Sequence, residues 1–336
     1  MMTAYAPRIG VIGAGYWGLQ LIRNCSELGV LVAVCDASAG RLEAITEQYP
    51  QCAVYQHLEA LWRAPLDAVV IATPAETHAQ LTHAAISRGK HVLVEKPLAL
   101  RVEDGIAMVE HAREAGVQLC VGHQLLYHPA FIALREAVRA GEIGDIRHIR
   151  SQRCSLGKLR SRESVWWSFA PHDLAVILSL YEDEPLAVAA SHSKVRGNGA
   201  ADVAYADFVF PHGRSAHVTA SWFDDRKLQV TQVFGSRGIA TFSDSRQGAT
   251  VTISDIAIGS DGYGEPTIER LSERLVPYQP SEPLENELRA FIHAIVHATP
   301  ALSSGRHGLS VLRALSMADC AATTTAPTER MEYQLR

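Results

Sequence analysis

The sequence predicts a two-domain α/β protein: a doubly wound parallel sheet, then an α+β domain on a large, mostly antiparallel open sheet. Three observations predict it. Over residues 1–122, short β-branched runs alternate with helical patterns. A Gly-x-Gly-x-x-Gly turn follows the first of those runs. From residue 123 the rhythm changes to longer alternating strands, and two helical patterns close the chain.

In the first region, "RIGVIG" (8–13), "VLVAVCD" (30–36), "DAVVIA" (67–72), "HVLVEK" (91–96) and "VQLCVG" (117–122) read as strands. Between them "RLEAITEQY", "HAQLTHAAISRG" and "VEDGIAMVEHAREAG" read as helices, the last two closing on glycine. Strands separated by helices imply right-handed crossovers and a parallel sheet covered on both faces. After the helix "PAFIALREAVRAG", the strand runs "DIRHIRSQRCS", "PLAVAASHSKV", "VAYADFVF", "RSAHVTASWF", "LQVTQVFG", "IATFSD" and "TVTISD" follow. "VFPHGRS" supplies a tight polar turn for an antiparallel hairpin. "PLENELRAFIHAIVHA" and "GLSVLRALSMADCAA" are the closing helices, expected on one face of the sheet. The reading is a dinucleotide-binding domain over 1–122 and a substrate-binding and oligomerisation domain over 123–336.

Bulk properties narrow the function. The chain has 336 residues, enough for two cores, and a net charge of -5, which gives no reason to expect nucleic acid or a membrane surface as partner. The N-terminus lacks a signal-peptide pattern, and no apolar run approaches the ~18 residues of a membrane span. The six cysteines form no CxxC pair, and the 15 histidines are scattered. No metal or disulfide framework is expected, and reduced thiols fit a cytoplasmic protein.

The turn "GVIGAGYWG" holds Gly13, Gly15, Tyr16, Trp17 and Gly18 between a strand and a helix. Gly13 permits the tight turn, Gly15 lets backbone approach a pyrophosphate, and Gly18 lets helix and strand pack closely. Asp36 ends the second strand about 20 residues on. A carboxylate there accepts from the adenosine ribose hydroxyls and repels a 2′-phosphate, so NAD is expected rather than NADP, although Arg41 lies close in sequence. Thr73 and Pro74 turn the chain beneath the cofactor at the carboxyl edge; His78 either lines that cleft or merely opens the next helix. Glu95, Lys96 and Pro97 end a later strand at the same edge, and the proline holds Lys96 in extended geometry. An ammonium beside a cationic nicotinamide has its pKa lowered, which suits it to take an alcohol proton.

The glycine turn, Asp36, "ATP…H" and "EKP" in this order resemble the glucose-fructose oxidoreductase/inositol dehydrogenase/MocA family over nearly the whole chain. The resemblance implies a Rossmann domain, then an α/β domain with a large open sheet, and proton transfer by Lys96 on a sugar or cyclitol hydroxyl. In "WWSFAPHDLAVIL" (166–178) the family's histidine falls on His172, read as the start of an amphipathic helix. The family's aspartate position, four residues earlier, is Ser168. Asp173, the neighbour of His172, is expected to point away from the site. "GKLRSRESVWWSFAPHD" and "WFDDRK…VFGSRG" are similar to the subset oxidising nucleotide-linked sugars, the UDP-N-acetylglucosamine 3-dehydrogenases and related UDP-aminosugar enzymes, whose 3-keto product goes to a partner aminotransferase. Lys158, Arg160 and Arg162 then suit a pyrophosphate, or else form a solvated basic loop. Trp166 and Trp167 suit stacking on a sugar or uracil, or core packing. Gln124 and Tyr127 at the domain seam are candidates for the carboxamide or substrate.

The expectation is therefore an NAD-dependent oxidation of a ring hydroxyl, at C3 of a sugar such as UDP-N-acetylglucosamine, with Lys96 and His172 converging on the alcohol. A dehydrogenase or reductase of a free sugar or inositol, and an NAD-sensing regulatory protein, remain as alternatives. The open sheet predicts a homodimer or homotetramer.

Overall fold

The computed structural model describes residues 6–157, 159–160, 163–196, 199–245 and 248–324. They divide into two compact units. One comprises residues 1–135, 178–180 and 277–313, and the other 136–177, 181–276 and 314–336. Where the sequence pattern suggests one boundary after residue 122, packing returns residues 277–313 to the first unit. The reason is an apolar helix face whose Leu284, Leu288 and Phe291 join the core of the first sheet.

The first sheet contains β1 (Ile9–Ile12), β2 (Leu31–Cys35), β3 (Ala53–Tyr55), β4 (Ala68–Ile71), β5 (His91–Glu95) and β6 (Leu119–Gly122). All neighbours pair in parallel, in the order β3-β2-β1-β4-β5-β6. Every residue of β1, β4 and β6 is buried, as a sheet covered on both faces requires. Helices α1 (Tyr16–Glu27), α2 (Ala39–Gln48), α3 (Leu58–Leu61), α4 (His78–Ile86) and α5 (Val102–Glu114) make the crossovers. The five expected strands are present. β3 and α3 escape the sequence reading because a three-residue strand and a one-turn helix carry too few apolar positions for a period. The order reverses between β1 and β4, and such a switch point opens a crevice at the carboxyl ends of the strands.

Next in the chain, α6 (Pro129–Arg139) leads to β7 (Ile146–Leu156), the first strand of the second unit, and then α7 (Val165–Tyr181). Strands β8 (Ala187–Ser193), β9 (Val203–Val209), β10 (Ser215–Ser221), β11 (Phe223–Gly235), β12 (Gly238–Ser245), β13 (Gly248–Ser260) and β14 (Pro266–Leu275) follow, then α8 (Pro283–His297) and α9 (Gly305–Thr324). The order is β14-β13-β12-β11-β7-β10-β9-β8, antiparallel except for β7 with β10. The expected hairpin at 209–215 joins β9 to β10. In β9, Ala204, Ala206 and Phe208 are buried while Tyr205, Asp207 and Val209 are exposed, the alternation of a sheet covered on one face. Trp166 of α7 stacks on Phe208, and Tyr181 packs 4.6 Å from Phe210. β14 was not anticipated: all ten of its residues are exposed, and its charges blunt an edge strand rather than signal one.

Candidate active site

Glycine's missing side chain decides the first turn. Gly13 has φ +100°, and a Cβ there would lie 2.7 Å from the Ala72 carbonyl oxygen. A Cβ on Gly18 would meet the Gly13 oxygen at 2.0 Å, so α1 rests directly on the turn. Gly15, by contrast, faces open space and caps α1, leaving the amides of that helix end for a phosphate. Across the switch point lies a cavity of about 770 Å³ lined by Gly13, Gly15, Tyr16, Trp17, Asp36, Thr73 and Pro74.

Asp36 is aimed by backbone. Its carboxylate accepts from the Ala14 amide at 2.7 Å and the Ser38 amide at 2.8 Å, and Arg41 Nη1 lies 3.4 Å away. A buried carboxylate so held presents its remaining lone pairs to the cavity, where ribose hydroxyls fit. The glycine cradle, the open helix end and this acid together accept a dinucleotide. Ala37 and Arg41 also line the cavity, as do Gln56, His57, Leu58, Thr77 and Gln80, which the sequence gives no sign of. Gln56 and His57 follow β3, and finding that strand end would have found them.

His78 does open α4, but it does not line the cavity. It is buried, with Nδ1 2.8 Å from the Pro97 oxygen and Nε2 3.0 Å from the Thr73 oxygen. Burial, the largest influence, lowers its pKa, and the two carbonyls oppose that shift. The ring therefore ties the turn after β4 to the segment after β5.

Lys96 follows β5 at the carboxyl edge, half-buried, with a cis bond to Pro97. Glu95 beside it is buried and accepts from Trp17 Nε1 at 2.5 Å and from the Lys96 amide at 3.2 Å. Burial pushes this carboxyl up to about 7, against the opposing pull of the indole N–H and the Lys96 charge. Gln124, half-buried, opens a short 3-10 turn after β6. Tyr127 at the end of that turn is not placed for a ligand: its hydroxyl lies 3.0 Å from Ser303 Oγ and accepts from the Ser303 amide at 3.0 Å, inside the core. Sequence could not separate these fates, because a phenol serves a core and a ligand equally well.

In the second unit, His172 lies mid-helix rather than at a helix start, since α7 begins seven residues earlier and carries Pro171 within it. Proline removes one backbone hydrogen bond there, and the helix around it buries Ala170, Leu174 and Ala175. Ser168 is buried one turn before His172 on the same helix face. Asp173 does turn away, held by Arg153 Nε at 2.9 Å and Ser151 Oγ at 2.7 Å. Trp166 is a core residue, fully buried, with Nε1 donating to the Leu315 oxygen at 3.0 Å; Trp167 is half-buried. Arg160 is exposed and pairs with Glu163 at 3.0 Å. Lys158 and Arg162 lie outside the described residues.

Among the described residues no group of three or more His, Cys, Asp or Glu is placed to hold a metal, and no helix is long and apolar enough to cross a membrane. Residues 7–123 match an oxidoreductase family with an NAD-binding Rossmann fold, and residues 131–241 match the C-terminal domain of the same family. The chain is 28% identical to a UDP-N-acetylglucosamine 3-dehydrogenase of Acidithiobacillus ferrooxidans, over 91% of this chain and 94% of that protein. It is 30% identical to an inositol 2-dehydrogenase of Rhizobium meliloti, over 95% and 97% of the two chains. A crystal form of the Acidithiobacillus enzyme superposes with a TM-score of 0.84 at 26% identity, covering 95% of this chain and 99% of the other. The expected fold and resemblance hold, and NAD is the cofactor the glycine turn and Asp36 serve: the chain is an NAD-dependent oxidoreductase of the Gfo/Idh/MocA family.

Proposed function

We propose that the protein oxidises a ring hydroxyl, at C3, of a nucleotide-linked sugar such as UDP-N-acetylglucosamine. Lys96 carries this reading. It is a half-buried amine at the carboxyl end of β5, next to a buried acid tied to the glycine turn. The near full-length likeness to a UDP-N-acetylglucosamine 3-dehydrogenase supports the substrate class. Lys96 takes the hydroxyl proton, and the resemblance of its helix to the family gives His172 a supporting part in that transfer. When bound, NAD+ supplies the hydride acceptor. The chain's task is to orient the alcohol, exclude water and manage one proton. Trp167 and Arg160 are the remaining candidates for holding the nucleotide and sugar.

A keto sugar is a substrate for amination, so an aminotransferase is the natural consumer of the product. The outer face of the second sheet exposes Tyr205, Val209 and Phe223, which fits self-association into a dimer or tetramer. A second reading, oxidation of an inositol or free sugar, is favoured by the likeness to an inositol 2-dehydrogenase.

NADH formation, followed by absorbance, over a panel of UDP-sugars, free sugars and inositols decides between them. Turnover of UDP-N-acetylglucosamine, with a 3-keto product by NMR, is expected. Turnover of inositols alone supports the second reading. Tight NAD binding with no turnover on any of them points to a sensor.

A further inference from the structure

Glu287 of α8 is a carboxyl in the wrong surroundings. It is 1% exposed, among Leu284, Leu288 and Phe291, and neither carboxyl oxygen has a hydrogen bond of good geometry. Among the described residues, the donor that favours its charge is the His123 amide, already given to the Val121 oxygen at 2.7 Å. His123 is equally buried, and neither of its ring nitrogens has a hydrogen-bond partner among the described residues. Unpaired buried polar groups are costly, so two on adjoining elements call for a reason.

Glu287 lies within electrostatic reach of Glu95, and His123 follows the β6 residue that pairs with it. The pairing of β5 with β6 sets Glu95 opposite Gly122, and a Cβ on Gly122 would sit 2.8 Å from all three carboxyl atoms. Glu95 is thus pressed against the β6 backbone, with His123 next along the chain. Several ionisable groups act on this place, and Glu287 in turn opposes ionisation of the buried Cys120 and Tyr127. Trp17 reaches Glu95 from α1, and Lys96 follows it directly in the chain. The Glu95 charge opposes ionisation of Glu287 from α8. Burial chiefly keeps His123 uncharged, helped by His307, whose ring centroid is 6.0 Å away, and by Lys96, which also acts on His78 of α4.

Two carboxyls buried within electrostatic reach do not both ionise readily. Glu95 has an indole N–H, an amide and a cation to favour its charge, while Glu287 has far less. The proton therefore stays on Glu287, and Glu95 is the carboxyl that takes the charge once the pH passes about 7. The Trp17 bond is long-range in topology: β4 lies between β1, which ends at the glycine turn, and β5.

We propose that Glu95 is the positioning residue of this active site: strapped to the dinucleotide turn by Trp17 and backed by the neutral Glu287 and His123, its carboxylate fixes the Lys96 backbone and counters the ammonium formed when Lys96 takes a proton. The inference rests on the proposed role of Lys96. It adds that the glycine turn and the proton-handling residue are one mechanical unit, coupled through a single acid.

Two readouts test it, and the first needs no substrate. Tryptophan fluorescence of the full chain is titrated from pH 5 to 9. The wild type is expected to show a transition near pH 7 as Glu95 ionises beside the Trp17 indole. Trp17→Phe and Glu95→Gln, each checked for a native melting transition, should lack it, and Glu287→Gln should keep it. Persistence in Glu95→Gln, or loss in Glu287→Gln, overturns the assignment. The second readout is the pH profile of kcat/KM. Trp17→Phe removes the donor that lowers the Glu95 pKa, so the limb near pH 7 should move up by roughly half a unit to one unit. Glu95→Gln should lose that limb with kcat down roughly 100-fold and the Kd for NAD within about 3-fold, and Glu95→Asp should recover part of it. Profiles that superimpose after scaling refute the positioning role. A wild type inactive on every alcohol, yet with the pH 7 transition, refutes the dehydrogenase reading and leaves the strut intact.

Discussion

His78 Nδ1 lies 2.8 Å from the carbonyl oxygen of Pro97, and the opposite ring nitrogen lies 3.0 Å from that of Thr73. One buried imidazole thus spans the two loops that border the site. A neutral ring has a single N–H, so one carbonyl is left without a donor unless the ring takes up a proton that burial resists. With the folded pKa below the usual 6.5, the unfolded chain binds more protons just under that value. Stability is therefore full above pH 6.5 and declines as pH falls towards the folded pKa. We expect His78→Gln to flatten that decline in a series of melting curves between pH 7 and 5. His78→Ala should lose about 1–3 kcal/mol by removing the one donor that serves these carbonyls, read by urea denaturation.

The placement of Asp36 leads us to expect that it governs the choice between NAD and NADP. Its carboxylate is pinned by two amides, with the Arg41 guanidinium 3.4 Å away. Asp36→Ser removes a charged acceptor worth about 1.5–3 kcal/mol, so the KM for NAD should rise roughly 10- to 100-fold. Arg41, released from its partner, should then improve NADP use. Steady-state kinetics with both cofactors checks this, and an unchanged ratio of kcat/KM values refutes it.

Lys96→Met should leave the Kd for NAD within about 3-fold while lowering kcat by roughly 10²–10⁴. Lys96→Arg should not rescue, because a guanidinium does not release its proton. His172→Gln is expected to cost less, about 10-fold or more, with the loss in kcat rather than in KM. Near wild-type turnover in the Lys96 variant ends its assignment.

Asp173 is structural, although it adjoins His172. Its carboxylate is 1% exposed and held by Arg153 and Ser151 within the second sheet's core. Asp173→Ala leaves Arg153 facing a buried vacancy and should destabilise by about 3–5 kcal/mol. Folded protein at low temperature should still turn over with a kcat within a few-fold of wild type. A selective loss of kcat without loss of stability would make Asp173 catalytic.

Much of the architecture is legible in the amino acids because it is set locally. Continuous apolar runs between helical periods specify a parallel sheet, and alternation after residue 123 specifies the open one. The glycine turn and Asp36 are legible for the same reason: their roles depend on backbone geometry and a fixed spacing. The short β3 and the fully exposed β14 carried no such period, so Gln56 and His57 at the cavity went unseen.

What only the folded chain decides is which way an ambiguous side chain turns. Tyr127 and Trp166 are amphipathic residues that suit a ligand or a core, and packing against Ser303 and the Leu315 carbonyl sends both inward. Glu287 looks like any surface glutamate of an amphipathic helix until α8 settles on the first sheet and buries it. The strand sequence names Glu95 and Lys96, but their coupling to Trp17 and Glu287 spans 78 and 192 residues of chain. Contacts at that separation leave no local pattern, since they are made by strand order and helix return rather than by neighbours in sequence.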